Sequence, residues 1–466
     1  MLCCSINPIK PSISEEEVNN TFEIKSTNFI EIRRNSDFSK YATPGGNGTL
    51  NNPWIIEDRI VDNSSINTGI YIANTTNYFI ITNCTLKSVN QNGIRFSNVT
   101  NGNITDCNFK NIEYGIDLSN VSNGNIINNN FTKTNYAITT EWEGIESMYI
   151  ANNYCNASMI DITKGKNVTL RGNTIFDFGT GIEIHSSNHM KVSKNTIFED
   201  DTGISIYFST YIEVANNSVQ YCTTGIYLDG ADRNTLIYNT ANHNSERGIF
   251  LENSDNNTLA HNQVNYNTKV NYAGIDLESS HNNTLNNNEV MHNNGVSWAS
   301  VYLGSGIILH TSIDNVLRYN TIVNSSGSGI CLDNSSRTKI IHNTITSNLK
   351  FGIDLYVSHY NFIDHNIITE NSLWGIGDEN WGWPWPDLFP LSAFNIITWN
   401  TIHDNGMGCM QVNETLNIIA HNNCGGGPGV PGFQWNITIL VFMMVLFFQI
   451  FIIRKRTPIT FYNKTI

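Results

Sequence analysis

Carboxylates with a histidine beside them form the first candidate for chemistry in this chain. Asp161 and Glu183 are 22 residues apart, and His185 follows Glu183 by two residues. The chain repeats a short pattern at about this interval, so these residues meet if successive repeats stack. Two carboxyl groups about 5 Å apart are the acid and the nucleophile of a retaining glycosidase. The spacing predicts a candidate catalytic site for sugar hydrolysis, and Trp142 offers a ring on which a sugar stacks.

A second cluster combines two carboxylates with a histidine. Asp276 and Glu278 are followed by His310 after an extra segment, residues 296–304, that carries Trp298. Like charges held close together raise at least one pKa or attract a cation such as Ca²⁺. These residues predict a second binding site, with Ca²⁺ as its candidate ion.

Both clusters belong to a longer acidic stripe at the predicted outward positions of the repeat. Arg95 is the only arginine that we expect on this stripe. The outward side of a strand must be polar in any case, and an acidic chain fills it with acids, so the stripe also has a purely structural interpretation. The stripe comprises Asp117, Glu141, Asp161, Glu183, His185, Tyr207, Asp229, Glu252, Asp276, Glu278, His310, Asp333, Asp354 and Tyr356.

The largest insertion, between Asp378 and Phe389, is aromatic. It contains Trp381, Trp383 and Trp385. Loops on a rigid scaffold often carry binding sites, and exposed tryptophans suit sugar rings. A repeat array also needs covered ends, so an aromatic plug is the alternative interpretation.

Two histidines are candidates for metal binding. His342 and His365 each precede an Asn of the repeat, which places them on adjacent repeats, and Asp364 lies next to His365. Two imidazoles at this spacing can hold a transition metal, but a site for a soft metal needs a Met or Cys in register, and none is there. We therefore predict no resident metal and keep the two histidines as the remaining candidates.

The elements that must position these residues follow from the repeat itself. From Gly69 to Gly408 a Gly-Ile-x-(Leu/Ile) step recurs about every 22 or 23 residues, followed thirteen residues after the Ile by an Asn. Such a period over most of a chain indicates a solenoid. Ala137, Met159 and Gly408 fill gaps in the series, whose glycines are Gly69, Gly93, Gly115, Gly181, Gly203, Gly225, Gly248, Gly274, Gly306, Gly329, Gly352 and Gly375.

The composition of each repeat indicates strands without helices. Apolar and polar residues alternate in 225–229 and again in 234–240, which is the period of a strand with one buried side. Asn, Ser, Thr, Asp and Gly between these segments are turn residues. The repeat prefers Ile and Asn to the spaced leucines of a leucine-rich repeat. We predict an all-β parallel β-helix of about 15 coils, roughly 70 Å long at the usual strand spacing.

The recurrent Asn predicts a ladder of stacked side-chain amides inside a turn. Cys84 and Cys107 occupy its first two positions, a spacing compatible with a disulfide or with two buried thiols. Cys155, Cys409 and Cys424 are interpreted as core packing residues. The ladder comprises Asn129, Asn153, Asn173, Asn195, Asn217, Asn239, Asn262, Asn288, Asn320, Asn343, Asn366, Asn400 and Asn422.

Between residues 41 and 423 the chain resembles the right-handed parallel β-helix family with PbH1-type repeats, which includes NosD-like proteins and carbohydrate-binding and sugar-hydrolase domains. Residues 46–57, a Gly-rich turn followed by an Asn-Pro-Trp step, resemble the start of such domains. The resemblance implies a right-handed solenoid and a polysaccharide or glycan partner. The motifs expected of a polygalacturonase or a guluronan epimerase do not occur.

The ends of the chain predict where it resides. Residues 1–40 are a leader or cap, 41–424 the β-helix, 425–436 a Gly/Pro-rich hinge, 437–453 a transmembrane helix and 454–466 a basic cytoplasmic tail. Pro431-Gly432-Phe433 resembles PGF-type C-terminal sorting signals of archaeal surface proteins, which implies either a permanent helix or a lipid anchor that replaces it. No signal peptide is visible at Met1, and about twenty Asn-x-Ser/Thr sequons suit a glycosylated exterior.

The sequence thus predicts a cell-membrane protein with an extracellular β-helix that binds glycans or forms part of the cell envelope. A net charge of -14 argues against nucleic acid as a partner. One alternative is a polysaccharide hydrolase or lyase that uses Asp161, Glu183 and His185. The other is a NosD-like accessory to copper-enzyme maturation.

Overall fold

The computed structural model describes residues 25–26, 29–141, 143–267, 272–294, 304–378 and 391–425. They form an all-β parallel solenoid of about 15 turns, as the repeat predicts. The predicted hinge beyond residue 425, membrane helix 437–453 and basic tail 454–466 lie outside the described residues. Among those described, no helix is both long enough and apolar enough to cross a bilayer. Also outside the described residues are Trp142, Trp298, Trp381, Trp383 and Trp385.

Each coil contributes up to three strands, one to each side of the solenoid. The first face contains the Gly-Ile strands, and its members pair in parallel with the equivalent strand of the next coil. Its strands are Ile30–Ile32, Thr68–Thr75, Asn92–Thr100, Met159–Thr163, Thr180–His185, Thr202–Tyr207, Thr224–Asp229, Arg247–Glu252, Ile275–Glu278, Ile307–His310, Ile330–Asp333, Ile353–Tyr356, Trp374–Gly377 and Gly408–Gln411.

The second face is a sheet of 16 strands that precede the predicted Asn ladder along the chain. These are Trp54–Glu57, Phe79–Thr82, Gly102–Thr105, Asn125–Ile127, Tyr149–Ala151, Thr169–Arg171, Lys191–Ser193, Glu213–Ala215, Thr235–Ile237, Thr258–Ala260, Thr284–Asn286, Val316–Arg318, Lys339–Ile341, Phe362–Asp364, Ile396–Thr398 and Ile418–Ala420.

The third face follows the Asn ladder. Two long strands, Asn108–Ser122 and Asn130–Thr140, run from the third face into the first, and the short strands Ile145–Glu146 and Gly165–Lys166 pair beside them. The other strands are Lys25–Ser26, Arg59–Asp62, Thr85–Lys87, Tyr154–Asn156, Thr174–Phe176, Thr196–Phe198, Ser218–Gln220, Thr240–Asn242, Glu289–Met291, Thr321–Val323, Thr344–Thr346, Ile367–Thr369, Thr401–His403 and Asn423–Gly425.

The core is a set of stacked apolar columns, because every strand points alternate residues inward. Ile182 and Ile184 of one coil stack on Ile204 and Ile206 of the next, and all four are fully buried. At the N-terminal end a 3₁₀ helix, Asn35–Lys40, covers the first coils. Its Phe38 ring lies 5.1 Å from that of Phe79 and 6.1 Å from that of Trp54. The solenoid core is therefore capped at its N-terminal end.

The Gly before each first-face Ile is required by close packing. A Cβ built on Gly329 would lie 2.8 Å from the carbonyl oxygen of Gly352 in the next coil and would overlap the Ile345 side chain of the third face. Real Cβ contacts do not come so close. This glycine column therefore marks the line where the first face packs closely against the third.

The predicted Asn ladder is confirmed from Asn129 to Asn422. At Asn239 the side-chain amide donates to the Asn262 Oδ1 at 3.0 Å and to the Val214 carbonyl at 2.8 Å, while its own Oδ1 accepts from the Asn217 backbone and side chain at 3.0 Å each. Each Asn thus bonds the coils on both sides. Polar groups inside the turn are satisfied without water.

Three more inward polar columns accompany this ladder and were not predicted. They turn the chain at the other corners with similar inward hydrogen bonding, except that the Ser325 and Thr338 hydroxyls have no partner. One contains Asn234, Asn257, Asn283, Asn315, Thr338, Asn361, Asn395 and Asn417, another contains Asn244, Asn267, Asn293, Ser325, Asn348, Asn371 and Asn405, and a serine column contains Ser187, Ser209, Ser254, Ser280, Ser312, Ser335, Ser358 and Ser392.

The cysteines follow the prediction in part. Cys84 and Cys107 are free buried thiols, and Cys155 is a buried packing residue. The packing interpretation of Cys409 and Cys424 is wrong, because they form a disulfide with their Cα atoms 5.6 Å apart.

The register explains this disulfide. Trp374 pairs with Gly408, so Cys409 and not Gly408 takes the place of the repeat glycine. Cys424 lies beside Ile402, the residue that packs against that glycine column one coil earlier. The two sulfurs therefore meet within one coil, where the first face meets the third, whereas the disulfide considered for Cys84 and Cys107 would join adjacent coils.

Replacement of Asn239 by Ala tests the ladder. The variant loses four side-chain hydrogen bonds and leaves buried donors of Asn217 without an acceptor. We expect the free energy of unfolding to fall by about 3 kcal/mol, the cost of a few unsatisfied buried groups. Chemical denaturation followed by circular dichroism measures this change.

Asn216→Gly is the matched control. Asn216 is exposed and has φ 57°, a conformation that Gly adopts without strain. Its stability should stay within about 0.5 kcal/mol of the parent. Equal losses in the two variants would contradict a structural role of the ladder.

Candidate functional site

The outward side of the first face carries two columns of side chains, each fixed by the parallel register. In the first column the successive residues are Asp117, Thr139, Asp161, Glu183, Ser205, Tyr227, Phe250 and Asp276. In the second column they include Thr163, His185, Tyr207, Asp229, Glu252, Glu278, His310 and Asp333. Neighbours within a column are about 4.8 Å apart, the spacing of paired strands.

Three predicted residues come together in this register. Asp161 of strand Met159–Thr163 pairs directly with Glu183 of strand Thr180–His185. His185 lies two residues further along the same strand as Glu183, hence on the same side, and its Nε2 is 2.7 Å from the Glu183 Oε1. A carboxyl, a second carboxyl and an imidazole therefore share one surface of two adjacent coils.

Asp161 is the least solvated of the three. Its Oδ2 accepts a long hydrogen bond of 3.4 Å from the Thr139 hydroxyl, while its Oδ1 is buried and makes no hydrogen bond. Burial, with the neighbouring Glu183 charge as a smaller cause, raises the pKa of Asp161 to about 6. Asp161 is thus a carboxyl that keeps its proton up to mildly acidic pH and has one oxygen without a partner.

Tyrosines flank this cluster on both sides along the solenoid. On one side the Tyr207 ring stacks on His185, with centroids 4.5 Å apart, and meets Tyr227 edge-on at 5.7 Å. On the other side Tyr136 stacks on Tyr114 at 5.2 Å. Burial raises the pKa of Tyr136, and the charges of Asp161 and Glu183 add to this effect.

Sequence reasoning identified Tyr207 but missed Tyr114, Tyr136 and Tyr227. Tyr114 and Tyr136 pair at the position two residues before the repeated Ile, where several neighbouring coils carry Thr or Asn. Tyr227 directly follows the repeated Ile226, just as Glu183 follows Ile182, so the repeat alone places both side chains in the same outward column. The sequence signal for Tyr114 and Tyr136 is therefore the presence of Tyr at a repeat position where neighbouring coils carry Thr.

The second predicted cluster does not assemble as an open site. Asp276 is 8% exposed, and its Oδ2 accepts a hydrogen bond of 2.8 Å from the Arg247 Nε. His310 instead pairs with Asp333 at 2.6 Å, and Glu278 lies beside His310 in the register.

The expectation that all stripe residues point to solvent is therefore wrong for Asp276. It is wrong too for Asp117, Asp333 and Asp354, which are 4%, 8% and 0% exposed. Within the described ranges no group of three or more His, Cys, Asp or Glu is arranged to hold a metal ion, Ca²⁺ included. Part of the predicted acidic stripe thus consists of buried side chains that are packed within the protein.

Two arginines lie on the first face, where only Arg95 was expected. Arg95 bonds Asp117 at 3.2 Å and Glu141 at 2.6 Å. Arg247 bonds Asp276 and is held over the Phe250 ring, with its Cζ 4.0 Å from the ring centroid. Arg247 directly precedes the repeated Gly248. It was missed because the predicted stripe includes only the residues that follow the repeated Ile and Leu.

His342 and His365 belong to a stack of rings at one corner of the solenoid. His342 stacks on Tyr319 at 5.1 Å, its ring lies 5.2 Å from that of His365 with the two planes tilted by 46°, and His365 stacks on Trp399 at 6.1 Å. The His365 Nδ1 is 2.6 Å from the Asp364 Oδ2. Among the described residues no group of three or more His, Cys, Asp or Glu that could hold a metal ion includes these two imidazoles.

Two family models match parts of the chain. Residues 158–302 match the model described as right handed beta helix region, and residues 269–382 match that of the periplasmic copper-binding protein NosD. The chain thus contains a right-handed β-helix region and a NosD-like segment. None of the curated proteins compared with the chain matches its sequence.

Three solved structures illustrate the likeness of fold. A periplasmic alginate epimerase is 14% identical over 80% of this chain and 85% of that chain, with a TM-score of 0.39. An alginate lyase is 11% identical over 89% and 91%, with a TM-score of 0.41. The A-module of a mannuronan C-5 epimerase from Azotobacter vinelandii is 10% identical over 81% and 89%, with a TM-score of 0.39. A likeness of this size does not extend to ligand or activity.

Asp161 should make the stability of the protein depend on pH. Its folded pKa of about 6 exceeds the unfolded value of about 3.9, so the folded state binds the proton more tightly. The stability that this proton contributes is present below pH about 4 and is lost as the pH rises through about 6. Asp161→Asn, which mimics the protonated acid, should be up to about 2 kcal/mol more stable than the parent at pH 8 and equal to it near pH 4.

Asp314→Asn is a control of opposite sign. A hydrogen bond from Arg337 lowers the pKa of Asp314, so this carboxylate stabilises the fold above its unfolded pKa. Its replacement should lower the midpoint of chemical unfolding at pH 8. The assignment of Asp161 fails if Asp161→Asn is also destabilised at pH 8.

Proposed function

We propose that this protein binds a polysaccharide or glycan along the first face, centred on Asp161, Glu183 and His185. The observation that carries the proposal is the buried Oδ1 of Asp161, which has no hydrogen-bond partner although it lies at the outward surface. A buried polar atom without a partner costs free energy, and a ligand hydroxyl supplies the missing donor.

The surroundings of Asp161 suit a sugar. Acids, an imidazole and phenols offer donors and acceptors at several places, which is how polar ligands are oriented. Tyr136 and Tyr207 add apolar ring surface with a polar tip, which matches the mixed character of a pyranose. A solenoid surface is extended, so a polymer contacts several coils at once.

We propose a location outside the cytoplasm. Disulfides persist in oxidising compartments, and the Cys409–Cys424 bridge supports such a location. The apolar segment 437–453 followed by Arg454-Lys455-Arg456 supports attachment to a membrane through the C-terminal end. In this proposal the β-helix is a cell-surface or envelope component.

Hydrolysis of the bound glycan is the second candidate function. It is favoured by a specific observation, the pairing in register of Glu183 with Asp161, whose raised pKa of about 6 suits a general acid. Glu183, hydrogen-bonded to His185, would be the nucleophile or base.

Binding is tested on a glycan array with the full chain. Tyr207→Ala removes the ring beside His185 and should weaken binding about tenfold, the effect of roughly 1.4 kcal/mol. Tyr238→Ala is the matched control, because Tyr238 is exposed at a turn and stacks on His261 away from the first face. The proposal is rejected if no glycan binds, or if both variants bind as the parent does.

Product analysis on the glycans that bind separates binding from hydrolysis. A hydrolase should release oligosaccharides, and Glu183→Gln should abolish the release because the amide is neither a nucleophile nor a base. If the parent protein releases nothing from any bound glycan, the hydrolase candidate is abandoned and the binding proposal stands.

A further inference from the structure

The charge of the first face restricts which glycan it accepts, an inference that rests on the proposed function. Between Asp117 and Glu252 the two outward columns carry five carboxyl groups among the described residues, namely Asp117, Asp161, Glu183, Asp229 and Glu252. Glu141 and Glu143 lie beside them at the end of strand Asn130–Thr140. Negative charge therefore accumulates along one continuous surface.

The cations of this surface are already engaged. Arg95 bonds Asp117 and Glu141, and Arg247 bonds Asp276 and is covered by the Phe250 and Tyr272 rings, each 4.0 Å from its Cζ. Both guanidinium groups already have carboxylate partners, and only Arg95, with 31% of its side chain exposed, stays partly open to solvent. On this described part of the surface a polyanionic glycan would meet more carboxylates than cations.

A polar atom on the same surface lacks a partner. The Asp161 Oδ1 is buried and makes no hydrogen bond. Ser205, which is 1% exposed, lies between Glu183 and Tyr227 in the first column, and its hydroxyl interacts with Tyr207. The unpaired Asp161 oxygen is independent of the charge argument, and it indicates that a polar donor from a ligand completes the surface beside Glu183.

The rings add a further preference. Tyr207 and Tyr227 meet edge-on, and Tyr136 stacks on Tyr114, so aromatic surface lies on both sides of the acids. A cation next to an aromatic ring and a carboxylate is stabilised by both. A sugar ring that carries an ammonium group can contact both the aromatic ring and the carboxylate.

We propose that the ligand of the first face is a polysaccharide of amino sugars with free, protonated amino groups. The ammonium groups pair with the carboxylates of Asp161, Glu183 and Asp229, and the sugar rings contact Tyr136 and Tyr207. Uronic-acid polymers are excluded by repulsion. This selectivity is opposite to that of a protein that acts on a polyuronate.

The test compares three oligosaccharides of equal length by calorimetry with the full chain at near-neutral pH. They are a glucosamine oligomer, its fully N-acetylated counterpart and a uronic-acid oligomer. The glucosamine oligomer should bind at least about tenfold more tightly than the acetylated one at low salt, with the preference shrinking as salt is added. The uronic-acid oligomer should bind most weakly.

Variants separate the local face from the net charge of the chain. Asp229→Asn should reduce the ratio of the glucosamine to the acetylated affinity about threefold, because one carboxylate of the face is lost. Glu213→Gln removes the same charge from strand Glu213–Ala215 of the second face and should leave that ratio unchanged. An equal effect of the two variants would mean that the preference is only the attraction of a polycation to an acidic protein, which overturns the inference.

The two proposals fail in different ways. If the acetylated or uronic-acid oligomer binds as tightly as the glucosamine oligomer, the selectivity is wrong while glycan binding stands. If none of the three binds and the glycan array is also empty, the proposed function falls and the selectivity with it.

Discussion

The structure depends on one constraint, that most polar side chains turned into the solenoid find their partners in the neighbouring coils. Asn239 shows how this is met, because its amide donates to the coil on one side and its oxygen accepts from the coil on the other. The bond fixes the register of the coils, since a shift of one residue would leave the amides facing apolar side chains. Four such polar columns run through the described coils, and the apolar columns between them can then be filled by Ile, Leu and Val.

Because the inward side chains fix the register of the coils, they also fix the positions of the outward side chains. Asp161 and Glu183 are neighbours because Ile160 and Ile182 are stacked inside, and no loop is needed to bring them together. The candidate site is therefore built on strands, which hold side chains more rigidly than loops do. The burial of the Asp161 carboxyl, which raises its pKa, comes from the crowding of adjacent coils at the usual strand spacing.

The fold and the register could be predicted because they are repeated many times in the sequence. Gly, Ile and Asn recur at fixed intervals, and each recurrence independently indicates the same coil geometry. Pairs that occur once could not be predicted in this way. Arg247 covers Asp276 through a contact between coils, and its position on the strand varies along the repeat, with Thr224 in the preceding coil and Ala273 in the next. Cys409 and Cys424 meet across one coil, and only the exact register shows that Cys409 occupies the glycine column.

The ring stacks at the corners have a mechanical consequence. Tyr221, His243, Tyr266 and His292 lie on four successive coils, with centroids 4.8 to 5.5 Å apart and planes within 15° of parallel. Each ring covers the faces of its neighbours, so these side chains have little free ring surface to offer a ligand. A rotation of one coil against the next would have to slide the rings apart. The stack on the outside of the solenoid therefore resists torsion of the rod. An extended polymer laid along the first face thus meets a surface that does not twist beneath it.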